Sequence, residues 1–192
     1  MMAGPSATTF HSLRDERFRR LFDDFQSTAY RLETRQSYDV SYEQEEFERF
    51  RAGRARGQFP GIASWADRVR AGRRLGKSFT RVHVMEEPLT DYLRFESAWC
   101  YRDTVAAGED VRVIPIQPGQ WPDGIPRLDY WLFDSHRLLL MNYSRHGTFL
   151  SAELVNDPER VSDAVRWQQR AWALSVPFNE YAAGFDEFMR RR

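Results

Sequence analysis

Six side chains able to move protons or bind charge fall within eleven residues of the stretch RVHVMEEPLTDYLRFE, Arg81 to Glu96: Glu86, Glu87, Asp91, Tyr92, Arg94 and Glu96. Val82 and Val84 alternate with polar residues and predict a strand, and Pro88 with Thr90 predicts a helix start. In open α/β sheets, ligands bind beyond the carboxyl ends of strands and beside helix N-termini. On such a helix Asp91 and Arg94 are three residues apart and Tyr92 and Glu96 four, so each pair shares a face. The first pair reads as a carboxylate held by a guanidinium, the second as a hydroxyl bonded to a base. Glu87, Asp91 and Glu96, with Tyr92, are therefore the catalytic candidates, and Arg81, Arg94 and Arg112 the anion clamps. A structural reading competes: acids in a first turn offset the helix dipole, Thr90 caps the helix, and so many carboxylates repel a bare anion.

A second constellation lies in LDYWLFDS, residues 128–135. In a strand Asp129 shares a face with Trp131 and Phe133, where a carboxylate needs a partner. Arg81 or Arg112 on neighbouring strands is the expected one. Arg81, Arg94, Arg112, Asp129 and Trp131 thus form the candidate ligand-binding set, although a buried pair of this kind is more often structural. The sequence holds no P-loop, no glycine-rich turn after a strand, no GxSxG and no HExxH. One cysteine and four scattered histidines (11, 83, 136 and 146) lack zinc spacing, so neither a metal nor a cofactor is expected. His136 and His146 flank an expected hairpin and read as polar surface.

These residues need a scaffold. Residues 1–9 are small and polar and are expected to be a disordered tail, with 10–192 one globular domain. Within it, 10–77 is mainly helical and 78–192 carries the sheet. Phe18, Leu21, Phe22 and Phe25 give a helix over 10–25 one apolar face. Strands are expected at 28–34 and, shorter, at 37–40. A helix at 42–52 is opened by the spacing of Ser41 and Gln44, and another is capped by Ser64. From Ser78 the pattern is strand, long helix, strand in about 35 residues, the size of a parallel βαβ unit. Gly108 ends its helix. Three strands in an antiparallel meander follow, then a helix opened by Asp157-Pro158, with a short terminal helix expected in PFNEYAAGFDEFMRRR. The fold class is α/β or α+β: a mixed sheet of about five to seven strands with flanking helices.

Composition narrows the function classes. Net charge is +0, from 28 basic and 28 acidic residues, which speaks against a generic nucleic-acid or membrane binder. Lys77 is the only lysine, and this arginine bias reads as codon usage before it reads as anion recognition. A lone Cys100 fits a reducing compartment, the opening MMAGPSATTFHSLRDERF lacks the apolar core of a signal peptide, and no apolar run is long enough to span a bilayer; a cytoplasmic location is expected.

FRRLFDDFQSTAYRLETRQSYDV, RVHVMEEPLTDYLRFE, VAAGEDVRVIP and LDYWLFDSHRLLLMNYSRHG resemble an actinobacterial family known only as a domain of unknown function. The resemblance spans about Phe10 to Tyr181. It implies genes lying beside helix-turn-helix regulators, and it carries over no catalytic residues. A more distant likeness, through AAGEDVRVIP and the spacing of Asp129 and Asp134, is to phospholipase D-like folds. Their HxKxxxxD motif is missing here: Val84 and Met85 follow His83, and Arg137 and Leu138 follow His136. The expectation is a cytoplasmic, non-catalytic regulatory module that binds a small molecule or a regulator protein, with a homodimer as one open state. The alternative is a small enzyme acting on a nucleotide or amino-acid derivative by carboxylate acid–base chemistry. DNA binding through Arg54 and Arg56 is a weaker third reading.

Overall fold

In the computed structural model the described residues are 8–184. They form one α+β domain around a mixed sheet of eight strands: β1 (Thr8–Phe10), β2 (Thr28–Glu33), β3 (Ser78–Glu86), β4 (Asp110–Ile116), β5 (Asp129–Phe133), β6 (Arg137–Tyr143), β7 (Phe149–Val155) and β8 (Val176–Pro177). Their order is β1-β7-β6-β5-β2-β3-β4-β8. β2, β3 and β4 run parallel, and β5, β6 and β7 are the antiparallel meander. The strand count exceeds the expected five to seven because β1 and β8 are edge strands of three and two residues, too short to show a period. Thr8 and Thr9 therefore belong to β1 rather than to a tail.

Alternation gives the sheet two unlike faces. Even positions of the central strands (Tyr30, Leu32, Val82, Val84, Tyr130 and Leu132) form a dry core under α6 (Pro158–Leu174). Asp157 caps α6 by accepting from Arg160 N at 2.9 Å, and Tyr130 donates its hydroxyl to the Ala164 carbonyl at 3.0 Å. Trp172 is 39% exposed and lies under Arg112.

The opposite face is covered by α1 (Glu16–Asp24), α2 (Gln44–Arg51), α3 (Pro60–Arg74) and a long helix between β3 and β4. α1 starts later than expected, because Asp15 caps it by accepting from Arg17 N at 2.9 Å. α3 starts earlier, at Pro60, whose fixed φ suits a first turn; Ser64 lies inside the helix and is not its cap. The expected capping box of Ser41 and Gln44 does not form. Glu43 occupies the N-cap, and its carboxylate turns inward instead. The strand expected at 37–40 is reduced to one bridge, Asp39 to Thr148. The terminal helix is α7 (Phe178–Ala183); the expected residues beyond Gly184 lie outside the described ones.

The helix after β3 is α only at its ends. α4 (Asp91–Phe95) opens on Thr90, whose hydroxyl accepts from Leu93 N at 3.1 Å. A π-helix spans Glu96–Tyr101, and α5 (Arg102–Ala107) closes on Gly108 in the left-handed region at φ 105°. π segments inside α-helices occur frequently at functional sites.

Candidate functional site

The parallel register sets Arg31 beside Arg81 and Glu33 beside His83, and the antiparallel register sets Arg31 beside Trp131. All have odd numbers, so all point to the helix-covered face. Adjacent guanidiniums repel, and carboxylates interleave them. Glu33 bridges the two, 3.3 Å from Arg31 Nε and 2.7 Å from Arg81 Nη1. Glu109 takes Arg81 Nε at 3.0 Å, and Asp129 takes Arg31 Nη2 at 3.0 Å. Asp129 also accepts from Thr34 N, from Thr34 Oγ1 and, at 2.5 Å, from the Tyr38 hydroxyl. Both guanidiniums lie over Trp131, 5.6 and 5.7 Å from its ring centre. Burial raises the Glu33 carboxyl, but Arg81 and Arg31 outweigh it and hold the group below its ordinary value.

Tyr38 is positioned from across the sheet. Gly147 has φ 89°, and a Cβ there would stand 2.7 Å from the Ser37 carbonyl oxygen and 2.9 Å from Tyr38 Cα. Only glycine lets the β6–β7 turn approach this closely.

His83 is fully buried. Its Nε2 meets the Arg35 carbonyl at 2.7 Å, which can only accept, so Nε2 carries a proton. Nδ1 faces the Tyr101 hydroxyl at 2.7 Å, and that hydroxyl donates to Glu33 at 2.9 Å, so Nδ1 is left to donate as well. The pattern is that of an imidazolium. Burial lowers the His83 pKa, but Glu96 and then Glu33 outweigh this and raise it above its ordinary value. Glu96 Oε2 stands 3.3 Å from Nδ1 without hydrogen-bond alignment, and burial pushes the Glu96 carboxyl up.

The π-helix explains how Glu96 and Tyr101 meet one imidazole. Residues five apart diverge on an α-helix but align where bonding runs from i to i+5. Glu43 completes the wall. It is 7% exposed and accepts from the Tyr92 hydroxyl at 2.8 Å, and burial followed by the nearby Glu96 pushes its pKa up to about 8. This network borders a cavity of about 770 Å³, flanked by α1 and the turn at 39–44 and lined on its apolar sides by Phe18, Phe22, Trp65, Trp131 and Phe149.

Of the residues singled out from sequence, the structure brings Arg81, Tyr92, Glu96, Asp129 and Trp131 to this cavity or its wall. The others lie elsewhere. Glu87 accepts from the Tyr181 hydroxyl at 2.9 Å. Asp91 is exposed, 3.9 Å from Arg94. Arg112 sits on the other face, bonded to Ser175 Oγ and O at 2.9 Å and stacked 4.5 Å above Trp172. Two expected pairs are replaced: Tyr92 bonds Glu43 rather than Glu96, and Asp129 bonds Arg31 rather than Arg81 or Arg112. β6 separates His136 from His146. Arg56 pairs with Asp103 at 2.6 Å.

Sequence reasoning missed Arg31, Glu33, Tyr38, Glu43, His83, Tyr101 and Glu109. A signal existed, since charges occupy one phase of three central strands. Glu33, His83 and Glu96 offer three ligand atoms within 4.8 Å of one another. They suit a divalent cation poorly, because Glu33 already neutralises two guanidiniums and accepts from Tyr101.

Two solved structures align with the chain. The archaeal chromatin protein TrmBL2, whose structure shows a mode of DNA binding, aligns at 8% identity and a TM-score of 0.50 over 89% of this chain and 54% of its own. The chain thus spans about half the length of that protein. Phosphatidylserine synthase of Haemophilus influenzae Rd KW20 aligns at 11% identity and a TM-score of 0.43, over 91% of this chain and 40% of its own, too low to establish a common fold. No curated protein matches by sequence. No helix among the described residues is long and apolar enough to cross a membrane. A family model described as "Domain of unknown function (DUF6879)" matches residues 16–183, and the chain belongs to that family.

Proposed function

We propose that the chain is a non-catalytic, ligand-responsive regulatory module that takes a small molecule into the cavity of about 770 Å³. The observation that carries this reading is unmet hydrogen-bonding capacity in the wall: Arg31 Nη1 and Glu96 Oε2 are buried and have no hydrogen-bond partner. Buried polar atoms are ordinarily satisfied, and leaving them bare costs free energy that a bound molecule recovers. The cavity is of the size that encloses small ligands and combines an apolar lining with a few polar groups. The ligand contacts α1 and the turn at 39–44, so occupancy has a route to the surface that a regulator protein would read. Native mass spectrometry of the full chain purified from its own cells, followed by extraction, tests this. A stoichiometric adduct that leaves on unfolding is expected; a ligand-free protein that no compound of a broad library stabilises would sink the reading.

A second reading, a small enzyme acting on an amino-acid derivative, draws on one feature: Glu96 and His83, 3.3 Å apart, are an adjacent carboxyl and imidazole. Turnover lost in Glu96→Gln with binding retained is its expected signature. DNA contact is the weakest, since Arg56 is tied to Asp103 and rests on Phe59; a salt-dependent gel shift would be required.

A further inference from the structure

We propose that the ligand of this cavity is an organic cation, a primary amine whose ammonium group engages Glu43 and Glu96. The inference rests on the ligand-binding reading above and adds the charge of the molecule.

Five buried acids face this side of the sheet, Glu33, Glu43, Glu96, Glu109 and Asp129, against two buried bases, Arg31 and His83, and the partly buried Arg81. Glu33, Glu109 and Asp129 each hold a guanidinium at 2.7 to 3.3 Å. Of the other two acids, Glu43 has no cation within ion-pair distance among the described residues and Glu96 has only His83, at 3.3 Å. The Glu43 carboxylate accepts only the neutral Tyr92 hydroxyl among the hydrogen bonds of the described residues. Glu96, 7% exposed, keeps one oxygen with no hydrogen bond and shares His83 with Glu33. Both line the cavity. An uncompensated buried carboxylate is costly, and it either stays protonated or takes a cation. The upward displacement of the Glu43 pKa has the same cause, since burial and the nearby Glu96 carboxylate both disfavour its charged form.

The alternatives fit less well. An anion would find both guanidiniums already bonded to carboxylates and would meet Glu43 and Glu96. A divalent metal would have to compete with Arg81 for Glu33, at 2.7 Å. An ammonium brings three donors for carboxylate oxygens, and the rings of Tyr38, Tyr92 and Tyr143 border the same space with faces that attract a cation. Arg31 Nη1 needs an acceptor, which favours an amine that also carries a hydroxyl or carbonyl.

The test is calorimetric titration of the full chain with tyramine, phenethylamine, putrescine and agmatine, with tyrosol and 4-hydroxyphenylacetate as the matched alcohol and acid of tyramine. At least one amine should bind, more tightly than any alcohol or acid, and Glu43→Gln and Glu96→Gln, each checked for native circular dichroism, should each weaken it by about tenfold or more. Should one variant fail to fold, the other decides. Preferential binding of the alcohol or acid overturns the cation assignment and leaves the pocket reading standing. So does amine binding that neither substitution weakens. No binding by any class overturns both.

Discussion

The same strands carry two opposite solutions to burial. On the even face Leu32, Val82, Val84, Tyr130 and Leu132 pack under α6, and polar atoms are few: the Tyr130 hydroxyl donates to the Ala164 carbonyl, and the buried Tyr30 hydroxyl has no hydrogen-bond partner. On the odd face, one residue away along each strand, Arg31, Glu33, Arg81, His83 and Asp129 are as deeply buried or nearly so, and bond chiefly to one another. Hydrophobic packing on the even face needs no external partner. The odd face is a closed charge network only in part, and its unmet atoms border the cavity. On the proposed reading, stability rests mainly on one face and binding on the other.

The largest effect should come from breaking the charged face at its centre. Arg31→Met leaves Glu33 and Asp129 facing each other without their shared guanidinium and should cost about 3–5 kcal/mol in urea unfolding. If the network is replaceable as a unit, adding Glu33→Gln and Asp129→Asn should recover much of that loss while ligand binding stays absent. Leu132→Ala on the dry face should cost about 2–5 kcal/mol, because Leu132 is 1% exposed and its loss leaves a cavity under α6. Ligand affinity should survive that substitution at a temperature where the variant is folded. A binding defect matching that of Arg31→Met would break the division of labour between the faces.

A finer test uses pH. The Glu43 pKa is raised from 4.5 to about 8, with burial the main cause and Glu96 next; Tyr92, Glu33 and Arg81 also face it. Between those values the folded state holds a proton that the unfolded chain has released. Stability from this group is therefore complete below about pH 4.5, falls as pH rises, and is lost by about pH 8. Glu43→Gln lacks this dependence, so its melting temperature should gain on the parent across that window. His83, also raised, titrates in both proteins and largely cancels in the difference. A constant difference across the window would show that Glu43 is ordinarily ionised and already partnered.

Much of the fold was legible because its signals are local. Alternation marked β3 to β7, Gly108 and Asp157-Pro158 marked helix ends, and the length between β3 and β4 implied a parallel unit. The site was harder to read because it depends on register and helix type. Nothing local tells Arg31, in TAYRLE, that its neighbours are Arg81 and Trp131, and a charge alternating with apolar residues reads equally well as a solvated face. Tyr92 and Glu96 do lie one α-turn apart, but the Glu43 carboxylate takes the Tyr92 hydroxyl, and the π segment that starts at Glu96 brings Glu96 and Tyr101 to one imidazole. Asp129 was recognisable as a buried acid from Trp131 and Phe133 beside it, though not its partner.

The smallest expected effect concerns Asp91, which had looked as strong a candidate as Glu96. The two acids are five residues apart on one continuous helix, yet Asp91 is exposed at its first turn while Glu96 is 7% exposed against His83. Asp91 stands 3.9 Å from Arg94 in solvent, a pair worth about 0–1 kcal/mol, and it adds a modest favourable term at the helix N-terminus. Asp91→Asn should therefore lower stability by about 0.5 kcal/mol or less, and by less still at high salt, where exposed charges are screened. Titration of the same amine panel should give affinities unchanged within error, whereas Glu96→Gln weakens them. An Asp91→Asn variant that loses binding would move the site out to the strand–helix junction, where position and charge in the sequence first pointed.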